Sequence, residues 1–134
     1  MRTLISATLG LLLAACVVGP RIETYAPAGR ANGTEATVVL QADGAVQTRT
    51  GELIAVRDTD FLVLTADGLE RIPHEAMRSA EFSDASPDDI RRAGTSRQRS
   101  DLARYSRYPS GLNNQQLLSL LAALGQSELI EVVP

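Results

Sequence analysis

A mainly β domain with α-helices at its C-terminal end is the fold class this sequence predicts, and three observations predict it. From Thr37 to Phe82, short runs rich in β-branched residues are separated by Asp-Gly and Gly, the pattern of strands joined by tight turns. Pro73 breaks that pattern near its end, and a proline cannot sit inside a central strand. Beyond Leu112 the period becomes helical: in "NNQQLLSLLAALGQ" the leucines at 117, 118, 121 and 124 make one stripe,.

Within the β region, "TVVLQADG" ends in Asp43-Gly44 and "FLVLTADG" in Asp67-Gly68, while "AVQTRTGELIAVRDTD" carries Gly51. Asp-Gly marks turns because Gly accepts positive φ and Asp bonds its own backbone. Four or five strands at this spacing make a compact antiparallel sheet or barrel. "LERIPHEAMRSAEF" supplies a strand before Pro73, a 3₁₀ turn over Pro73 to Met77, and a last strand over Arg78 to Phe82. The expected core is Val39, Ile54, Val56, Leu62, Leu64, Ile72, Met77 and Phe82. Leu53, Ala55, Phe61 and Val63 then face the other way, and strands apolar on both faces need cover on both.

The C-terminal third supplies two or three helices. "SPDDIRRAG" has Ser86 as N-cap, Pro87 at the first helical position and Gly94 as its stop,. Between Ser83 and Leu112 six Arg face four Asp, whereas Thr37 to Phe82 carries four Arg and eight acids. This basic arm is expected to pair with the acidic β region. Alternatively Arg97, Arg99, Arg104 and Arg107 form an anion-binding surface. In the last helix Asn113 caps and Gln116 reaches back in a capping box, and Gly125 stops it. Its leucines either cover the outer face of the barrel or, through Leu117, Leu121 and Leu124, bind a partner. "ELIEVV" at 128–133 can add an edge strand.

Short strands, a 3₁₀ turn and a closing strand resemble the SH3-like and Sm-like small barrels. "GELIAVRDTDFLVL…RIPHEAMRSAEF" looks like the version in small envelope lipoproteins of uncharacterised role. That resemblance implies a fold and says little about activity.

The N-terminus reads as an address. Met1 and Arg2 precede an apolar stretch from Leu4 to Ala15. A helix of that length spans roughly 18 Å, short of the ~30 Å hydrocarbon core. A positive start, an apolar run and small residues before a cut site make a secretory signal. Leu13-Ala14-Ala15-Cys16 resembles the lipobox of bacterial lipoproteins. The resemblance implies a diacylglyceryl thioether on Cys16, cleavage between Ala15 and Cys16, and acylation of the new amine, a palmitate-type anchor. Several acyl chains anchor stably where one is marginal. Val17, rather than Asp, after the cysteine implies sorting to the outer membrane, facing the periplasm. The organisation is then a signal peptide over 1–15, a Gly/Pro/Ala-rich tether over 16–36, a small barrel over 37–82, and a region over 83–134 with Arg-rich arm, amphipathic helix and tail.

Little else points to chemistry. The chain has 134 residues, one Cys and one His. One Cys makes no internal disulfide and one His makes no zinc set. Asp58 and Asp60 in "RDTD" suit a turn, and His74 stands without a nucleophile motif. A net charge of −3 argues against nucleic acid as a partner. The expectation is a non-enzymatic, cofactor-free interaction module, attached to the membrane through lipidated Cys16 and binding another envelope protein. The alternative is a binder of anionic lipid head groups or envelope glycans through the Arg-rich arm.

Overall fold

The computed structural model describes residues 32–84 and 96–134, without the side chains of 96 and 97. The expected signal segment, most of the expected tether and the expected Ser86–Gly94 helix lie outside the described residues.

The first strand, β1 (Glu35–Ala42), begins two residues before the expected boundary at Thr37. The reason is backbone pairing just upstream. Thr34 donates to the carbonyl of Tyr105 (2.8 Å) and accepts from the amide of Leu53 (2.8 Å). Asp43 and Gly44 then turn the chain with φ of 50° and 74°, both positive as a two-residue hairpin requires. β2 (Ala45–Val56) runs through Gly51 without turning. A Cβ at Gly51 would lie 2.2 Å from the carbonyl oxygen of Leu64, so this glycine permits close strand approach. After it come β3 (Asp60–Thr65) and β4 (Leu69–Pro73). A 3₁₀ helix over His74–Ala76 leads to β5 (Met77–Phe82). Helices α1 (Ser96–Ala103) and α2 (Asn114–Ala123) and the short strand β6 (Ile130–Glu131) complete the described chain.

The six strands form one sheet in the order β5-β1-β2-β3-β4-β6. Neighbours are antiparallel except β4 and β6, which are parallel. The sheet is therefore mixed and unclosed, whereas the sequence predicts an antiparallel barrel. β5 pairs back onto β1, and the C-terminal strand pairs with the free edge of β4. The two end strands thus add to opposite edges and do not meet.

Two bulges explain part of the departure from the expected core, while Val39 on β1 and Leu62 and Leu64 on β3 lie on unbulged strands whose other alternate residues face the inner cluster. Register shifts at Ile54 on β2 and at Arg78 on β5, and each extra residue reverses the facing of the residues beyond it. Leu53 and Val56 consequently share one face, while Ile54 and Ala55 share the other. On β1 the buried residues are Ala36, Val38, Leu40 and Ala42, not Val39.

Both faces of the sheet are covered, as apolar strands demand. The inner cluster holds Val38, Leu40, Leu53, Phe61, Val63, Ile72 and Phe82, sealed by Leu102 and Val132 with Tyr105 against them. Phe61 meets Phe82 edge-on at 6.0 Å. The outer cluster holds Ile54, Ala55, Leu62 and Leu69 beneath Leu121 of α2. Asn113 caps α2 by accepting from the amide of Gln116 (2.8 Å), while Gln116 accepts from the amide of Asn113 (2.9 Å). Gly125, with φ of 71°, ends it,.

Candidate functional site

One cluster of charged residues lies at the start of β3. Asp60 opens that strand and is 2% exposed. Its Oδ1 accepts from Arg57, and its Oδ2 accepts from Thr59 (3.0 Å) and Arg71 (3.0 Å). Burial pushes the Asp60 carboxyl up, but hydrogen bonds from Arg57, Arg71 and Thr59 outweigh it and hold it below its ordinary value,. Arg71 also donates to Glu131 of β6 at 3.1 Å. The hydrogen bond to Asp60, then the charge of Glu131, raise the Arg71 guanidinium above its ordinary value. "RDTD" is therefore more than a turn: Asp58 is exposed, but Asp60 is the hub of an ion-pair network.

Next to this network lies a cleft of about 740 Å³. It is lined by Thr59, Arg71, His74 and Arg99 and by Val132, Val133 and Pro134 of the tail. The His74 ring sits edge-on to Phe61 at 4.8 Å, so its orientation is fixed by the core. Its Nε2 is buried and hydrogen-bonds to no described residue. Burial, then the positive charge of Arg99, push the His74 imidazole below its ordinary value, against the opposing pull of Asp60. Among the described residues no group of three or more His, Cys, Asp or Glu is placed to hold a metal ion.

The structure separates the residues that the sequence grouped. Ala15 and Cys16 lie outside the described residues. Arg97 belongs to α1, and its side chain is not among those described. Arg99 lines the cleft. Arg104 pairs with Asp101 in its own helix at 3.2 Å. Arg107 donates through Nε (2.8 Å) and Nη2 to the two oxygens of Glu52, whose other neighbour is the amide of Gly33. The Glu52 hydrogen bonds raise the Arg107 guanidinium. Arg99, Arg104 and Arg107 therefore have different surroundings and do not act as one patch.

The leucine stripe also divides. Leu121 is 4% exposed and belongs to the outer cluster, with Leu117 packed against it. Leu124 is the C-cap residue and is exposed. The side turned to solvent instead carries Leu118, at 63% exposure. Leu117 and Leu121 are thus cover for the sheet, and the exposed leucines are Leu124 and Leu118, the second of which lies in the stripe but outside the three expected to bind a partner.

The cleft itself was not legible. Its parts come from 58–59, 71, 73–75, 99 and 131–134, and no local pattern links them. The one available signal was the lone histidine directly after Pro73.

Comparison with protein-family models, with curated proteins and with solved structures gives no match for this chain.

Proposed function

We propose that the chain is a lipid-anchored cell-envelope protein whose sheet domain is a small, non-enzymatic protein-interaction module. The carrying observation is Leu13-Ala14-Ala15-Cys16 behind an apolar run too short to cross a bilayer,. Cys16 bears the acyl chains, and Val17 after it favours the outer membrane with the domain in the periplasm. None of the described helices is long and apolar enough to cross a membrane. The order β5-β1-β2-β3-β4, with one 3₁₀ turn joining β4 to β5, supports the SH3-like reading of the domain. The outer side of α2 supports the module reading. It presents Leu118 from a helix without any charged residue, and uncharged apolar surface is what partner proteins cover.

A second reading, anion binding, is favoured by Arg99 beside His74 in the cleft. It is not supported along the arm as a whole, because Arg99, Arg104 and Arg107 each already interact within the chain and lie in different surroundings.

Cys16→Ser tests the anchor. Wild-type protein is expected in the membrane fraction, with mass spectrometry showing an acylated N-terminal peptide that starts at Cys16. The variant is expected uncleaved and unacylated. An acylated Cys16→Ser protein, or wild-type protein with a free Cys16 thiol, would overturn the reading.

A further inference from the structure

We propose that the half of β2 nearest the first turn is an interface between copies of this chain, with the free edge over Ala45–Arg49 pairing antiparallel with the same edge of a second copy. The inference is separate from acylation at Cys16 and from the surface of α2.

β2 outruns the strand beside it. Its pairing with β1 continues without a shift from Ala45 to Glu52, whereas its pairing with β3 begins only at Gly51. Among the described residues, no strand pairs with the other side of Ala45–Thr50. Parity decides which backbone groups face that side. The amide of Leu53 donates to the carbonyl of Thr34, just before β1, at 2.8 Å. Bonded residues alternate along an antiparallel ladder, so Arg49, Gln47 and Ala45 also bond to β1. The N–H and C=O groups of Val46, Thr48 and Thr50 therefore point away from it.

The other edges of the sheet are protected, and this one is not. Short edge strands, charges and bulges are the usual defences against chance pairing. β5 has its bulge at Arg78 and carries Arg78 and Glu81. The edge of β4 is covered by β6, and its Leu69 amide donates to the side chain of Gln126 at 2.7 Å. β6 itself is two residues long. Ala45–Thr50 has no bulge, no proline and a single charged residue, Arg49. Glu70 already meets that charge at 3.0 Å. Val46 is 57% exposed, and Ala45, Thr48 and Thr50 are exposed as well.

A second copy fits this edge through two-fold symmetry, in which the same surface serves both sides. Ladder bonds form only where outward-facing residues meet outward-facing residues. A register centred on Gln47 satisfies this and leaves Thr50, the residue next to the end of β3, outside the pairing. Val46 then exchanges both backbone bonds with the partner's Thr48, and Thr48 with the partner's Val46. On that face β-branched side chains meet in cross-strand pairs, which are favourable. On the other face Gln47 meets its own copy, and Arg49 meets the partner's Ala45, so like charges are not opposed. Because Glu70 already neutralises Arg49, an acidic strand would gain little over this uncharged one. A strand pair of this length buries less than the roughly 1,200–2,000 Å² of a stable complex. Association is therefore expected to be weak, at roughly 0.1–1 mM.

The test uses the full chain with Cys16→Ser, which removes the one native thiol, in a non-ionic detergent. Gln47→Cys places two thiols at the symmetry centre. The Cα atoms of such a non-hydrogen-bonded pair lie about 4.5 Å apart, within the roughly 4.4–6.8 Å that a disulfide spans. Thr48→Cys places them diagonally, about 7–8 Å apart, beyond reach. At about 1 mM protein, oxidation is expected to give a disulfide dimer several-fold faster from Gln47→Cys than from Thr48→Cys. Adding Val46→Lys, a change at an exposed position, should slow it several-fold while the circular-dichroism spectrum stays unchanged. Without the Gln47 substitution, amide exchange at Val46 and Thr48 should slow as the protein is concentrated from about 10 μM to about 1 mM. Exchange at Gln47 and Arg49, bonded to β1, should not change. Equal crosslinking at the two positions, no dimer at about 1 mM, or crosslinking indifferent to folded Val46→Lys would overturn the inference. So would Val46 and Thr48 amides already protected in dilute protein, which would mean that a segment of the same chain occupies the edge.

Discussion

Replacing Asp60 with Asn should be among the most damaging polar substitutions in this domain. The carboxylate is 2% exposed and accepts hydrogen bonds from two guanidinium groups and a hydroxyl. A hydrogen bond to a charged partner contributes about 1.5–3 kcal/mol net, and breaking a buried ion pair costs about 3–5 kcal/mol. Arg57 and Arg71 are 34% and 38% exposed, so both can recover water when their partner is lost. That places the expected loss near the lower end, about 3 kcal/mol. For a domain of this size each kcal/mol moves Tm by about 4–8 °C, so the midpoint should fall by about 12–24 °C in a calorimetric or circular-dichroism melt. The acid limb should change as well. The Asp60 carboxyl titrates below its unfolded value of 3.8. Its stabilisation is therefore complete above pH 3.8 and is lost as pH falls through the lower folded value. Asp60→Asn should flatten that part of the profile. The triple change Arg57→Met, Asp60→Leu, Arg71→Met removes all three charges together and should cost less than Asp60→Asn alone. A Tm loss under about 4 °C in Asp60→Asn, or a triple variant worse than the single one, would refute this account of the network.

Leu121→Ala should cost about 2–4 kcal/mol in urea unfolding because the side chain is 4% exposed beneath α2,. Leu118→Ala, at 63% exposure, should stay within about 0.5 kcal/mol, and equal losses at both sites would contradict the placement of the helix. Gly51→Ala puts a Cβ 2.2 Å from the Leu64 carbonyl oxygen and should cost at least about 1–3 kcal/mol by overpacking, with faster amide exchange at β2–β3 as its signature. For His74, the folded imidazole titrates below 6.5, so the unfolded chain binds the proton more readily. Stability should therefore decline as pH falls from 6.5 toward the folded value, and His74→Gln should remove that slope from pH-dependent denaturation curves.

Local signals in the sequence carry local structure well. Asp43-Gly44 needs only its own backbone to declare a two-residue turn, and Asn113 with Gln116 needs only one helical turn to declare a cap. The need for cover on both sheet faces was legible too, since runs such as "FLVL" cannot expose either side. What failed was parity. A bulge is a property of two strands, so Ile54 and Arg78 look like ordinary alternating residues until their partners are known. The same limit applies to the site. Asp60 reads as turn chemistry because Arg71 is 11 residues away in the chain and Glu131 60 residues beyond that. The parallel pairing of β6 with β4 joins segments just as distant, and no period in either one announces it.

The position of β1 has a mechanical side. The chain enters the described domain at Asn32 and passes directly into a strand that is flanked on both sides, by β5 and by β2. Any tension arriving from upstream is delivered along the axis of that strand. It loads two hydrogen-bonded ladders in shear at the same moment, where an edge strand would be unzipped one bond at a time. If the domain is held from upstream, as the proposed anchor at Cys16 would hold it, it resists being pulled open at that point.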